Sequence, residues 1–176
     1  VSSDDSAINT TGHHAKDQNG PNASFRDIPN GVPGVGARMP LLFSEGVVKG
    51  RIDLPTFVGL AATNPARLYG LGGRKGAIQP GADADIVLWD ATKTQTITNA
   101  LLQHGVDYTP YVGREVTGWP VMTLRRGEIV MQDGEMVAAE GSGRFLARGP
   151  YEQARPLGRL ANGFDAAAYD RPGATR

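Results

Sequence analysis

The chain holds 176 residues, enough for one domain with an ordinary core but short of the roughly 250 that a complete (β/α)8 barrel takes. Eighteen basic and eighteen acidic residues cancel, so no global field steers the chain onto phosphate backbones or anionic lipid, and neither nucleic acid nor a membrane is an expected partner. The absence of cysteine removes disulfide frameworks, thiolate nucleophiles and Cys-ligated zinc, no apolar run approaches the ~20 residues of a spanning helix, and a cytoplasmic setting is expected.

Residues 1–36 are rich in Gly, Asn, Asp and Pro and read as a strand end followed by a long irregular loop, a kind of segment that is often functional in compact proteins. Pro40 is expected to open a helix that carries Leu41, Leu42, Val47 and Val48 and stops at Gly50. Asp53 is an N-cap candidate with Pro55 in the first turn, and Leu54, Phe57, Val58 and Ala61 then fall on one face. Thr63-Asn64-Pro65 is expected to break that helix and begin a short one that ends at Gly70. From Lys75 the pattern becomes β: Ala84 to Trp89 reads as a mostly buried strand, and Thr94 to Thr98 alternates polar with β-branched residues. Val121 to Arg125 and Glu128 to Met131 flank an Arg126-Gly127 turn, and Asp133-Gly134 signals a second hairpin before Glu135 to Val137. After Pro150 the composition turns basic and then Ala- and Gly-rich, as in a tail that is draped over a neighbour or disordered.

Few of these residues carry chemistry by themselves. The glycines at 31, 34 and 36 lie in a Pro-containing loop with no Lys-Ser/Thr after them, so they read as turn glycines rather than a phosphate loop. No Gly-x-Ser-x-Gly nucleophile turn is present. His13 and His14 read as polar loop histidines, and His104 beside Gly105 as a structural one. Asp4 and Asp5 are either a solvated pair or a strand end aimed into a site. A carboxylate becomes a metal ligand or proton shuttle only where other ligands converge on it, and the chain supplies few.

Longer strings go further. Ile28-Pro29-Asn30-Gly31-Val32-Pro33-Gly34-Val35, with Arg38-Met39-Pro40-Leu41-Leu42, closely resembles the hydantoinase and dihydropyrimidinase branch of the amidohydrolase superfamily. Thr63-Asn64-Pro65-Ala66-Arg67-Leu68-Tyr69-Gly70-Leu71, Lys75-Gly76, Pro80-Gly81-Ala82-Asp83-Ala84-Asp85-Ile86-Val87, Asp107-Tyr108-Thr109-Pro110-Tyr111 and Val116-Thr117-Gly118-Trp119-Pro120 follow in the order of that family. Gly141-Ser142-Gly143-Arg144-Phe145-Leu146 with Arg148-Gly149-Pro150 closes the resemblance, which spans about residues 1–150.

The resemblance implies an α/β fold of two parts, the C-terminal part of a (β/α)8 TIM barrel and strands of a composite β-sandwich. Residues 1–74 would be the last barrel strand, active-site loop and closing helices, 75–145 the sandwich strands, and 146–176 a tail that packs between subunits. Asp4 would ligate one of two divalent metals, usually zinc, and relay a proton from the attacking oxygen to the leaving nitrogen, while the family's other ligands lie upstream. Asn30 would hold the cyclic imide through its backbone groups. Relatives follow the ligand Asp with His, then Cys or Ala, and Pro, whereas Asp5, Ser6 and Ala7 stand here. Asp5 would either add a second carboxylate beside the metals, disfavouring ionisation of both, or face away from them.

The implied activity is hydrolysis of the ring amide of hydantoins, dihydropyrimidines or related cyclic imides. The implied partner is the N-terminal portion of the same enzyme, as a separate polypeptide or the other half of a cut chain, within a homo-oligomer. The chain alone is expected to be inactive and to aggregate, with an open strand edge and apolar helix faces around Phe57. Two rivals stand beside this: a non-catalytic assembly or scaffold relative of the same fold, and a stand-alone β-sandwich binding module.

Overall fold

The computed structural model describes residues 5–12 and 15–148. The expected barrel strand Val1 to Asp4, the pair His13 and His14, and the tail from residue 149 onward lie outside them.

Helix α1 runs over Val35–Leu42 and continues as a π-helical turn over Phe43–Val48. Pro40 therefore lies inside the helix and does not open it, contrary to the sequence expectation. The cause is a cap that comes from far along the chain: one carboxylate oxygen of Asp5 accepts the Gly34 and Val35 amides at 2.7 and 2.9 Å. These are among the donors that a helix start leaves unpaired, so the helix begins there. Asp53 caps α2, Leu54–Val58, as its position predicted, accepting the Thr56 amide at 2.8 Å. No break follows at Thr63-Asn64-Pro65. A π turn over Gly59–Thr63 leads straight into α3, Asn64–Leu68, because the Asn64 amide reaches back to the Gly59 carbonyl and the widened turn accommodates Pro65.

Strands β1 (Ile86–Thr96), β2 (Glu115–Arg125), β3 (Glu128–Gln132) and β4 (Glu135–Met136) form an antiparallel sheet in that spatial order. The two segments expected at 84–89 and 94–98 join into one long β1 that keeps its pairing with β2 through two register shifts. At the first, Trp89 faces Pro120, which has no amide to give the ladder. At the second, Asp90 turns the strand by accepting the Thr92 and Lys93 amides at 2.9 and 3.1 Å. Both expected hairpins form, with positive φ at Arg126 and Gly127 and at Asp133 and Gly134, the geometry that matches the strand twist. A short helix that the sequence did not reveal, α4 at Asn99–Leu102, follows β1 and is capped by the Thr98 hydroxyl.

Helices and sheet share a core. Ala37 from α1, Ile97 and Val116 from β2 are at most 1 % exposed, with Leu41, Leu102, Tyr111 and Trp119 packed around them. Alongside, Phe43, Phe57 and Trp89 form an aromatic trio with ring centroids 5.0 to 5.9 Å apart. Phe57 is therefore buried, while Leu54, Val58, Leu68 and Tyr69 of the same helical stretch are exposed.

Candidate functional site

Among its described residues the segment from Asp5 to Gly34 contains little regular structure beyond a 3-10 turn at Phe25–Asp27, yet it is tied firmly at both ends and across its middle. At its start Asp5 pairs with Val32 in a parallel bridge, and the Ser6 amide donates to the Val32 carbonyl at 3.2 Å. The amides of Val35 and Gly34 hold the Asp5 carboxyl below the usual carboxylate range, outweighing the opposing effect of burial, with smaller help from His104 and Arg38. Asp5 is thus observed as the cap of α1, a role the sequence did not suggest, and its surroundings favour ionisation.

Asp107, just beyond α4, makes the second tie. Its two carboxylate oxygens accept the Thr10 amide at 2.8 Å and the Thr10 hydroxyl at 2.7 Å, and its own amide donates to the Asn9 side-chain oxygen at 3.2 Å. Asn99 in turn donates to the Asp107 carbonyl at 2.6 Å. The bonds from Thr10 lower the Asp107 pKa.

The third tie lies within the loop. The Lys16 and Asp17 amides donate to the Asn9 and Thr10 carbonyls at 2.9 and 3.0 Å, fixing Lys16 directly on the stretch that Asp107 grips. From there the Lys16 ammonium reaches three consecutive carbonyls, donating to Pro29, to Asn30 at 3.2 Å and to Gly31 at 2.6 Å. Asn30, the substrate-binding residue expected from the sequence, is thus exposed on a stretch of backbone whose carbonyls converge on one cation. A fixed backbone of this kind can read a flat ring that presents adjacent N–H and C=O groups.

Asp4, the expected metal ligand and proton relay, lies outside the described residues. Among the described residues, no group of three or more His, Cys, Asp or Glu is placed to hold a metal ion. These residues do not form a metal site. His104 lines a cavity of about 30 Å³ with Asp5, Pro33 and Val35, and both its ring nitrogens are buried without a partner among the described residues.

Sequence reasoning missed Lys16, Thr10 and Asp107 as parts of this site. A signal for the first existed: Lys16 is the only Lys or Arg before Arg26, a single cation in a long loop. Asp107 stood within a recognised string, but nothing in that string indicates that it grips Thr10.

The pattern of the amidohydrolase family matches residues 33–130, more than half of the chain. The chain belongs to the amidohydrolase family. It is 40% identical over 153 residues to the D-hydantoinase of Ralstonia pickettii, an alignment that covers 87% of this chain and 32% of that protein. A solved D-hydantoinase superposes with a TM-score of 0.79 at 41% identity, over 86% of this chain and 32% of the other. The dihydropyrimidinase from Brevibacillus agri NCHU1002 gives 0.77 at 40% identity, over 85% and 31%. The chain thus spans about a third of the length of these relatives.

Several of the strings that this chain shares with the family serve to dock its helices on its sheet. Within Val116-Thr117-Gly118-Trp119-Pro120, Val116 fills the core, the Thr117 amide donates to the buried Ser44 hydroxyl at 3.1 Å, and Gly118 leaves room for the Phe43 ring. In the segment before β1, Lys75 pairs with Asp83 at 2.9 Å and with Asp85, while Asp85 accepts the Arg126 amide at 2.8 Å across the first hairpin. Burial alone would lower the Lys75 pKa, but the hydrogen bonds to Asp85 and Asp83 outweigh it and raise the value. The ammonium stays charged and closes the segment that joins the helices to the sheet. No helix among the described residues is long and apolar enough to cross a membrane.

Proposed function

We propose that this chain is part of a metal-dependent cyclic amidohydrolase that opens hydantoin, dihydropyrimidine or related cyclic imide rings at an amide bond, and that it is inactive without the remainder of the barrel. The observation that carries this reading is the 40% identity to a D-hydantoinase along 87% of the chain, set beside coverage of 32% of that enzyme. By this reading residues 1–74 close a TIM barrel, residues 75–145 are strands of the adjoining sandwich, and the tail from 146 packs between subunits of a homo-oligomer.

Ring opening adds water across the C–N bond: oxygen joins the carbonyl carbon, and a proton must reach the leaving nitrogen. Asp4 is assigned that proton, taking it from the attacking water and returning it to the nitrogen as the bond breaks. The Asn30 amide and carbonyl orient the ring by pairing with its C=O and N–H. By this reading the donors for the divalent metals, zinc among them, are Asp4 and residues of the segment that completes the barrel.

The test is reconstitution. The chain is co-expressed with a segment equivalent to the other two thirds of a hydantoinase, and ring opening of hydantoin and dihydrouracil is followed by the appearance of the N-carbamoyl product, with and without added zinc. Turnover is expected only in the assembled, metal-loaded enzyme. Turnover by the chain alone, or none in a correctly assembled metal-loaded complex, overturns the reading.

A further inference from the structure

Lys16 makes an unusual set of contacts for a loop lysine. An ammonium has three N–H donors and no acceptor, and here the donors meet the carbonyls of Pro29, Asn30 and Gly31. Such an arrangement gives every donor of a half-buried ammonium a partner. It also determines the shape of the backbone, since three successive peptide oxygens turn toward one point only if the chain curls around it. Gly31, at φ +81°, adopts the left-handed conformation that this curl requires and that glycine takes at little cost.

The electrostatic effect follows the same geometry. The Pro29 carbonyl belongs to the peptide group whose N–H is that of Asn30, and the Asn30 carbonyl to the one whose N–H is that of Gly31. A positive charge on these oxygens polarises both peptide groups and makes their N–H ends stronger donors. One side chain thus fixes the direction of the backbone groups at Asn30 and Gly31 and strengthens them as donors. The cation is itself held in place, because the Lys16 and Asp17 amides are bonded to the residues that Asp107 grips.

We propose that Lys16 is the positioning residue for ring recognition: its ammonium, collared by the Pro29, Asn30 and Gly31 carbonyls, shapes and polarises the backbone that holds the cyclic amide. This rests on the reading of Asn30 under Proposed function. Lys16 touches neither the ring nor the reacting atoms and acts only through the loop. Arginine keeps the charge, but its planar fork cannot direct three donors at a single focus of carbonyls.

The experiment uses the assembled, metal-loaded enzyme with hydantoin as substrate. Lys16→Met is expected to raise KM by about tenfold or more, since hydrogen bonds to a charged group are lost from the surface that binds the ring. Lys16→Arg is expected to fall between Met and wild type. Amide exchange at Asn30 and Gly31 should accelerate in Lys16→Met in parallel with the rise in KM. A lysine that merely stapled the loop would lower the active fraction, so that kcat fell while KM held. An active wild type with unchanged KM in Lys16→Met overturns this proposal and leaves the activity standing. A wild-type complex that opens no cyclic amide overturns the activity, and ring recognition with it.

Discussion

Asp107 and Thr10, 97 residues apart in sequence, are joined through both oxygens of one carboxylate, at 2.8 Å to the amide and 2.7 Å to the hydroxyl. This contact fastens the long loop to the region beside the sheet, and the Lys16 collar hangs from it. Asp107→Ala should therefore release the loop without unfolding the core, which shares no side chain with it. Trypsin cleavage after Lys16 reports the release directly, and on the order of tenfold faster cutting is expected in the variant. Equal cleavage rates in the two proteins would show that the loop is held by other means.

The same loop should loosen in acid. Asp5 and Asp107 both have pKa values depressed below the ordinary 3.8 by hydrogen bonds that only the folded chain provides. For a depressed carboxylate the stabilisation is complete above the unfolded value and disappears as pH falls through the folded one. Loop attachment is thus fully present at neutral pH and is lost on acidification below 3.8. Amide exchange at Val35 and Thr10, corrected for its intrinsic pH dependence, should accelerate over that window. Asp5→Asn should remove the acid response at Val35, and Asp107→Asn the one at Thr10. An acid response that persists in both variants would place its origin elsewhere.

At Gly118 the helices and the sheet approach closely. A Cβ there would lie 2.2 Å from one Phe43 ring carbon and 2.9 Å from the Trp89 ring nitrogen, at a φ of +95° that L-residues avoid. Gly118→Ala should destabilise by about 2 kcal/mol or more, combining overpacking with left-handed strain. In a chain of this size that lowers the melting temperature by roughly 4–8 °C. Phe43→Ala, which empties a buried ring site, should cost about 3–5 kcal/mol. The two changes share one space, so the double variant should be more stable than their sum implies. Strict additivity would mean that the ring and the glycine do not constrain each other.

These contacts show what could be read from the sequence. The hairpins at Arg126-Gly127 and Asp133-Gly134 were legible because a two-residue turn is set by the residues within it, and the Asp53 cap because its partner lies three residues away. The start of α1 was not, since its cap is Asp5, nearly thirty residues earlier in the chain. The Thr63-Asn64-Pro65 break was misjudged because a π turn, absent from simple periodicity, accommodates the proline. At the site, the Asn30 loop stood out through its resemblance to a family, while its physical support did not. Lys16 and Asp107 act across 15 and 97 residues, and no local pattern encodes such pairings.

Leu54, Val58, Leu68 and Tyr69 of the helical segments are between 48 and 64 % exposed, and apolar side chains left in water are candidates for burial against a partner. If the chain completes a barrel, this surface is where the other segment packs, and without it the exposed groups should drive self-association. Light scattering of the chain alone should show concentration-dependent aggregates that disappear on co-expression with the completing segment. Val58→Lys with Leu68→Lys, which places charge on the surface, should keep the lone chain dispersed yet weaken assembly with the segment. A lone wild-type chain that stays monodisperse, or a double variant that assembles as well as wild type, would show that this surface is not where the rest of the enzyme binds.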